Sequence, residues 1–221
     1  MSRENLSDKA YSFIKNKIIN GDYEPGSIIN ETMICDEISS SRTPVREAIN
    51  KLEQENLVKV IYKKGIIIKD ITLSDIKLIY ETRLLIEPYA MRNYGKQMDP
   101  NYILMLKKKI EESTTDDALF QADDELHYYI VSQTNNIYLI NAITAIYGHN
   151  MRIRILSAKN IKERIEATSY EHNEIIKYFI EENYEKSAQV LTHHLIKARE
   201  ASYKFMLEAY NLNRDFIKDS L

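Results

Sequence analysis

The size, composition and charge of the chain exclude several classes of protein. It has 221 residues, of which 44 % are hydrophobic and 29 % charged, and a net charge of −3, as is typical of a folded globular protein and not of a disordered chain. No apolar run approaches the roughly 20 residues that span a bilayer. The charged first residues are unlike a secretory signal, so we expect a cytoplasmic protein that makes no contact with membranes. Cys35 is the only cysteine, which excludes an internal disulfide and a four-thiolate zinc site.

The first part of the sequence predicts three helices. Apolar residues at helical spacing predict a helix over about residues 7–20 that ends before Gly21. Asn30 is expected to cap a short second helix. Thr43 is a good N-cap and Pro44 suits the first helical position, so a third helix is expected to start there. Its buried stripe is formed by Val45, Ala48, Ile49 and Leu52.

A hairpin is predicted after the third helix. Two β-branched runs, at 57–62 and 66–69, are separated by Lys63-Lys64-Gly65, which is typical of a two-stranded hairpin. Positive charge is concentrated there, since no acid lies between residues 59 and 69. Three helices and a hairpin predict a winged helix-turn-helix domain over residues 1–70.

The chain follows a helical pattern from Thr72 onward. Thr72 and Asp75 have the spacing of a capping box, and no later stretch is typical of a strand. We therefore expect six or seven helices in an all-α bundle over residues 71–221, and a mainly α fold class. The helices are expected to be interrupted near residues 95–101, 113–117, 134–136, 157–162 and 181–184.

The third predicted helix and the hairpin present groups that suit a DNA duplex. Helical spacing places Arg42, Arg46 and Asn50 opposite the buried stripe, and arginine donates well to guanine edges and phosphates. Hydroxyls at the helix start could reach phosphates, and the hairpin could lie along a groove. The alternative is a solvated helix face and an ordinary hairpin tip. The candidate DNA-contacting residues are Ser41, Arg42, Thr43, Arg46, Asn50, Lys63, Lys64 and Gly65.

Three motifs in this region resemble one family. They are Gly21-Asp-Tyr-Glu-Pro-Gly26, Ser41-Arg-Thr-Pro-Val-Arg-Glu-Ala-Ile49 and Leu52-Glu-Gln-Glu-Asn-Leu57. They resemble the DNA-reading domain of the GntR family of bacterial transcription regulators, and the resemblance covers residues 7–69. It implies that Arg42 and Arg46 read double-stranded operator DNA, that Thr43 contacts the DNA backbone and that Gly65 lies at the tip of the wing.

Four polar residues of the C-terminal part fall on inward faces of three predicted helices. Asp123 and His127 lie four residues apart on one stripe, and His172 and His194 are each in register with apolar residues. Buried carboxylate and imidazole groups are costly unless they are paired, and one divalent metal ion would satisfy all four. The alternative is that each histidine is a hydrogen-bonded core residue.

These residues also lie in motifs that resemble a second domain type. The motifs are Asp123-x-x-x-His127, Asn136-Ile-Tyr-Leu139, Glu171-His172 and His194-Leu195. They resemble the FCD-like ligand-binding domain of the FadR-type branch of the family, in its metal-binding form. The resemblance implies that Asp123, His127, His172 and His194 bind a divalent metal ion, with zinc as the first choice and nickel, manganese or iron as alternatives. His193 could take the place of His194.

The expected metal site suggests an acidic effector. Three nitrogens and one carboxylate leave two positions open on a six-coordinate ion, which a small organic or sugar acid could fill. Arg83 matches an arginine that family members direct at the effector carboxylate, although Glu81 or Glu87 could hold it in a surface ion pair. Asn136 could contact the effector or cap the next helix.

The sequence therefore predicts a homodimeric transcription regulator whose DNA affinity is controlled by a small carboxylate bound at a metal-containing pocket. Most relatives are repressors, and the dimer that the family implies would match a two-fold operator. One alternative is a metalloenzyme that activates water at the open metal position, although no separate general base stands out. The other is a sensor in which the ion itself is the signal.

Overall fold

The computed structural model describes the backbone of residues 5–157 and 162–218, and the side chains of residues 5–115, 118–154 and 168–208. The chain divides into two compact units, Met1–Ile71 and Thr72–Leu221. In the described ranges, no helix combines the length and the apolar character that a bilayer crossing needs.

The first unit is a winged helix-turn-helix. Its elements in chain order are α1 (Leu6–Ile19), β1 (Ile28–Ile29), α2 (Glu31–Ile38), α3 (Arg42–Gln54), β2 (Val58–Ile61) and β3 (Gly65–Ile68). The strands form an antiparallel sheet in the order β1-β3-β2. The core is built from α1, α2, α3 and the sheet and includes Ala10, Ile14, Ile34, Leu52 and Ile68.

Strand β1 was absent from the sequence prediction. Ile28 pairs with Ile67 and Ile29 pairs with Ile66, so two residues add a third strand to the predicted hairpin. A two-residue strand has no alternating pattern that a sequence could show. It forms because β3 offers a free edge at this place.

Of the two N-caps predicted for α2 and α3, one is confirmed and the other is corrected. The cap predicted for α2 is confirmed, since Asn30 Oδ1 accepts a hydrogen bond from the Met33 N–H at 2.8 Å. The predicted start of α3 was wrong: the N-cap is Ser41, and Thr43 and Pro44 lie inside the first turn. Proline is tolerated there because the first four N–H groups of a helix have no partner within the helix.

The position of Gly65 also differs from the expectation of a wing tip. The turn is formed by Tyr62, Lys63 and Lys64, and Gly65 is the first residue of β3, opposite Ile61. Gly65 has φ +114°, and a Cβ there would lie 2.8 Å from the carbonyl oxygen of Ile29. Glycine is therefore required by the close approach of β1.

The regular secondary structure in the described residues of the second unit is entirely helical. Its helices are α4 (Leu73–Tyr94), α5 (Pro100–Glu111), α6 (Asp116–Ser132), α7 (Ile137–Ser157), α8 (Lys162–Ile180) and α9 (Tyr184–Lys218), with a 3₁₀ turn at Gly95–Gln97. Six helices in the described ranges agree with the predicted bundle. Four of the predicted interruptions separate these helices, and residues 158–161 of the remaining one lie outside the described residues.

Helix packing creates one interior into which several helices project. Helix α4 packs against α6, α7 and α9, and α8 packs against α9. The apolar part of this interior includes Ile86, Leu126, Ile130, Ile175 and Leu191. Polar side chains of the same helices are also buried in this interior, where they form a cluster.

Candidate nucleic-acid interface and metal centre

One face of α3 is polar and exposed, as its spacing predicted. Val45, Ala48, Ile49 and Leu52 are buried against the core. The predicted DNA-contacting residues of this region, Ser41, Arg42, Thr43, Arg46 and Asn50, are all exposed. The structure thus brings the candidate residues onto one accessible surface at the start and along the outer side of α3.

An acid from α2 contacts this surface. Arg46 Nε donates to both carboxylate oxygens of Glu31, each at 2.9 Å. The Arg46 side chain remains 60 % exposed and that of Glu31 33 %. Glu31 raises the pKa of Arg46, so the guanidinium keeps its charge. Glu31 was not among the residues predicted from the sequence.

The turn of the hairpin presents cations together with an aromatic ring. Lys63 and Lys64 are exposed, and the Lys63 Nζ lies 5.3 Å from the centroid of the Tyr62 ring. Tyr62 is 84 % exposed. Cations that extend from a hairpin turn suit contact with a phosphate backbone.

The four predicted metal ligands meet in the interior of the second unit. Asp123 and His127 project from α6, His172 from α8 and His194 from α9. One candidate ligand atom from each of them lies within 4.8 Å of those of the other three. Each of the four is at most 2 % exposed.

Helical periodicity explains which side chains reach the cluster. Asp123 and His127 are one turn apart on α6, so they share a face. His193 and His194 are adjacent on α9 and therefore point in different directions. His194 is buried in the cluster and His193 is exposed, so this geometry gives no support to His193 as a replacement ligand.

Two carboxylates hold the histidine rings in a defined orientation. Glu87 Oε2 lies 2.7 Å from His127 Nδ1, and Glu171 Oε2 lies 2.8 Å from His194 Nδ1. Each carboxylate accepts a hydrogen bond from Nδ1, which directs Nε2 of the same ring into the cluster. This is the arrangement by which proteins orient metal-binding histidines.

Several polar atoms of the cluster have no hydrogen-bond partner in the described part of the chain. They are Oδ1 of Asp123, Nε2 of His127 and both ring nitrogens of His172. His172 Nε2 and Asp123 Oδ1 are only 2.8 Å apart, yet they do not have the geometry of a hydrogen bond. Buried polar atoms are costly when unpaired. Three imidazoles and one carboxylate that converge in this way fit a divalent metal ion.

The charge of the cluster is set by an arginine from α7. Arg154 forms an ion pair with Asp123 and another with Asp124, the latter at 3.1 Å. Burial favours the neutral acid, but Arg154 and the neighbouring histidines hold the pKa of Asp123 well below its usual range. Asp123 is therefore ionised, as a metal ligand must be.

The surroundings shift the pKa values of His194 and His127 in opposite directions. Burial lowers the pKa of His194 to about 3, against the hydrogen bond to Glu171. Burial acts in the same direction on His127, but the charges of Glu87 and Asp123 raise its pKa. The neutral His194 has the protonation state that metal binding requires.

Arg83 is buried, not at the surface. Its Nε donates to Glu87 Oε1 at 2.6 Å, and both side chains are fully buried. The ion-pair alternative thus holds with Glu87, but the expected surface location was wrong, because Glu87 also faces His127 in the interior. Arg83 Nη1 and the Tyr147 hydroxyl are buried with no hydrogen-bond partner among the described residues.

Asn136 lies outside this interior. It is exposed, and its Oδ1 accepts from the N–H of Tyr138 at 3.0 Å and that of Leu139 at 3.4 Å. The side chain therefore caps α7, as one of the two alternatives stated. Contact between Asn136 and an effector stays a prediction.

The residues that support the cluster were not predicted from the sequence. Glu171 was named only as part of a motif, and Glu87 only as a partner of Arg83. Arg154 carried no signal in the sequence, since the two arginines near the end of α7, Arg152 and Arg154, are equally typical of surface positions. The paired acids Asp123-Asp124 were a signal that a cation lies nearby.

Comparisons with known proteins agree with this architecture. Two family profiles match the chain: "Bacterial regulatory proteins, gntR family" over residues 6–68 and "FCD domain" over residues 78–197. The gluconate operon transcriptional repressor of Bacillus licheniformis is 29 % identical over 147 residues, which are 63 % of this chain and 60 % of that protein.

Solved structures share the fold. A protein from Rhodococcus sp. RHA1, described as a GntR transcriptional regulator, has a TM-score of 0.77 at 20 % identity and covers 90 % of this chain and 97 % of its own. The Zn²⁺-bound FCD domain of a protein named TM0439 has a TM-score of 0.51 at 21 % identity, over 62 % of this chain and 97 % of that domain.

Proposed function

Because the chain belongs to the GntR family of bacterial regulatory proteins and carries an FCD domain, we propose that it is a homodimeric repressor controlled by a small carboxylate bound at a divalent metal centre. The family itself makes the chain a DNA-binding transcription regulator and not an enzyme. Repression is supported by the name of the Bacillus licheniformis relative. A dimer would match the two-fold symmetry of a palindromic operator. The protein would act in the cytoplasm.

The exposed side of α3 and the hairpin turn are the proposed DNA contacts. Arg42, Arg46 and Asn50 would meet base edges in the major groove, where arginine donates to guanine O6 and N7. Side chains that contact only phosphates would set the position of the protein on the duplex. The proposed phosphate and backbone contacts are Ser41, Thr43, Lys63, Lys64 and the chain at Gly65.

The observation that carries the proposed metal centre is the convergence of four buried ligand groups, and Asp123, His127 and His172 each have an atom without a hydrogen-bond partner among the described residues. Asp123, His127, His172 and His194 would hold the ion, with Glu87 and Glu171 fixing two of the rings. Zinc is the first candidate because it favours imidazole and carboxylate ligands, and because a domain of the same fold binds it. When bound, the ion would offer open positions to the oxygens of an acid.

Arg83 would help to bind the acidic effector. Its Nη1 is a buried donor without a hydrogen-bond partner in the described ranges, and the same holds for the Tyr147 hydroxyl. Glu87 keeps the pKa of Arg83 raised even though burial acts in the opposite direction, so the guanidinium is charged. Carboxylates form strong, charge-assisted hydrogen bonds with a charged guanidinium.

Substitution of one ligand tests the proposed metal centre. His172→Ala should lose bound metal in protein purified without chelator, measured by elemental analysis, because one of four ligands is removed. His193→Ala is the matched control, since this residue is exposed on α9. The same two variants should differ in the response of operator binding to a panel of organic and sugar acids, because an effector acts through its different affinities for two states.

The outcomes separate the remaining alternatives. Full metal content in His172→Ala, or no metal in the wild type, would show that the cluster is only a polar core. Operator binding that responds to zinc alone, with no organic acid present, would identify the ion as the signal. A response to an acid in the metal-loaded wild type and none in His172→Ala supports the proposal.

A further inference from the structure

The surface proposed to face DNA contains one carboxylate in direct contact with a DNA-reading residue. The single N–H of Arg46 Nε is shared between the two carboxylate oxygens of Glu31, each of which lies 2.9 Å from Nε. In the described part of the chain, Nη1 and Nη2 of Arg46 have no protein partner. The carboxylate thus contacts the inner edge of the guanidinium and leaves the terminal amino groups for an acceptor outside the protein.

The backbone of Glu31 is held on both sides. Strand β1 ends two residues earlier, with Ile29 paired to Ile66. Asn30 caps α2, of which Glu31 is the first residue, and Ile34 of the same helix is fully buried. The backbone that carries the Glu31 carboxylate is therefore fixed. In contrast, the long side chain of Arg46 has many rotamers in the absence of a partner.

Neither stability nor attraction to DNA explains the contact between Glu31 and Arg46. Exposed ion pairs contribute little to folding, and a negative charge near a phosphate backbone opposes binding. An acid in the first turn of α2 does interact favourably with the helix dipole. That interaction needs the charge but not the contact with Arg46.

We propose that Glu31 is a positioning residue that determines DNA specificity: it orients Arg46 so that Nη1 and Nη2 point outward toward a guanine edge. Two donors on one planar group match the O6 and N7 acceptors of guanine. If Arg46 is oriented before DNA binds, less side-chain entropy is lost when the contact with guanine forms. The proposal rests on the proposed role of Arg46 in reading DNA.

Two substitutions of Glu31 distinguish orientation from charge. Glu31→Asp keeps the charge and shortens the side chain, so the contact with Arg46 changes. Glu31→Gln removes the charge and keeps an oxygen acceptor at the same distance. If orientation matters, Gln should preserve specificity better than Asp, whereas a role in charge or in the helix dipole predicts the opposite.

The assay compares the dissociation constants of full-length protein for two duplexes. One is selected from random sequence by the wild type, and the other is an unrelated duplex of equal length. A bidentate arginine–guanine contact discriminates by about 5- to 150-fold, so Arg46→Ala should lower the specificity ratio within that range and Glu31→Asp by about 5- to 10-fold. Glu31→Gln should stay within about 3-fold of the wild type. Glu47→Gln, at an exposed acid of α3, is the control and should keep the wild-type ratio.

Each result supports or overturns the inference. An unchanged ratio in Arg46→Ala would overturn both the inference and the assignment of Arg46 as a reading residue. A reduced ratio in Arg46→Ala with a wild-type ratio in Glu31→Asp would overturn the inference alone. It would also be overturned if Gln reduced the ratio as much as Asp, or if the Asp variant melted well below the wild type.

Discussion

Glu87→Gln is expected to destabilise the second unit and to weaken its metal site. Glu87 is fully buried on α4 and accepts hydrogen bonds from Arg83 and from His127. Although burial opposes ionisation, Arg83 and His127 lower the pKa of Glu87 to about 2, so the carboxylate is charged. The substitution removes this charge and leaves the guanidinium of Arg83 buried without a counter-ion.

The magnitude follows from the burial of both partners. Removal of one member of a buried ion pair costs about 3–5 kcal/mol, and the remaining glutamine oxygen places the expected value near the lower limit. For a unit of this size, about 3 kcal/mol corresponds to a decrease of roughly 6–12 °C in melting temperature. Loss of the carboxylate that orients His127 should also weaken metal binding by about 10- to 100-fold.

The assay is thermal melting of the full chain by circular dichroism, without metal and with saturating zinc, together with a zinc titration. Glu185→Gln is the matched control, because Glu185 pairs with Arg92 at the surface, where the side chains are 55 % and 45 % exposed. It should melt close to the wild type and keep its zinc affinity. A Glu87→Gln variant with wild-type melting and zinc affinity would refute the argument that this carboxylate supports both groups.

Two further predictions concern the first unit. Lys64→Ala should lower the salt dependence of operator binding by about one in the log–log slope and leave base preference unchanged, because a phosphate contact carries no sequence information; a changed base preference would assign Lys64 to base reading. Gly21→Ala should lower the free energy of unfolding by about 1–2 kcal/mol because the φ of Gly21 is positive. Gly65→Ala should lower it by about 1–3 kcal/mol more, because only at Gly65 does an added Cβ meet a backbone oxygen. Equal unfolding free energies in denaturant would contradict this comparison.

Periodicity was sufficient to predict which face of a helix is buried, but not which residues of other helices contact it. The spacing of Val45, Ala48 and Leu52 predicted the buried side of α3, and Arg46 followed as exposed. The spacing could not show that Glu31 contacts Arg46, because the two residues belong to different helices. The contact depends on how α2 and α3 cross, which no single helix encodes.

Short and closely packed features were predicted less well. Strand β1 has only two residues, so its pattern was too short to detect, and the true reason for Gly65 depends on that strand. The predicted N-cap of α3 was Thr43 and not Ser41, because serine and threonine are both good caps. Local propensity leaves such choices open, and the surrounding structure decides them.

In the metal cluster, the ligands could be predicted from the sequence but the residues that support them could not. Each ligand could be predicted because a polar residue in register with apolar residues must face the interior of its own helix bundle. The supporting residues could not, because Glu87 already had an apparent partner four residues away in Arg83. In the folded chain Glu87 serves both Arg83 and His127, which joins the proposed effector-binding residue to a proposed metal ligand through one carboxylate. Any ligand that draws Arg83 away from Glu87 therefore changes the charge that His127 experiences, so occupancy by the acid and affinity for the metal should depend on each other.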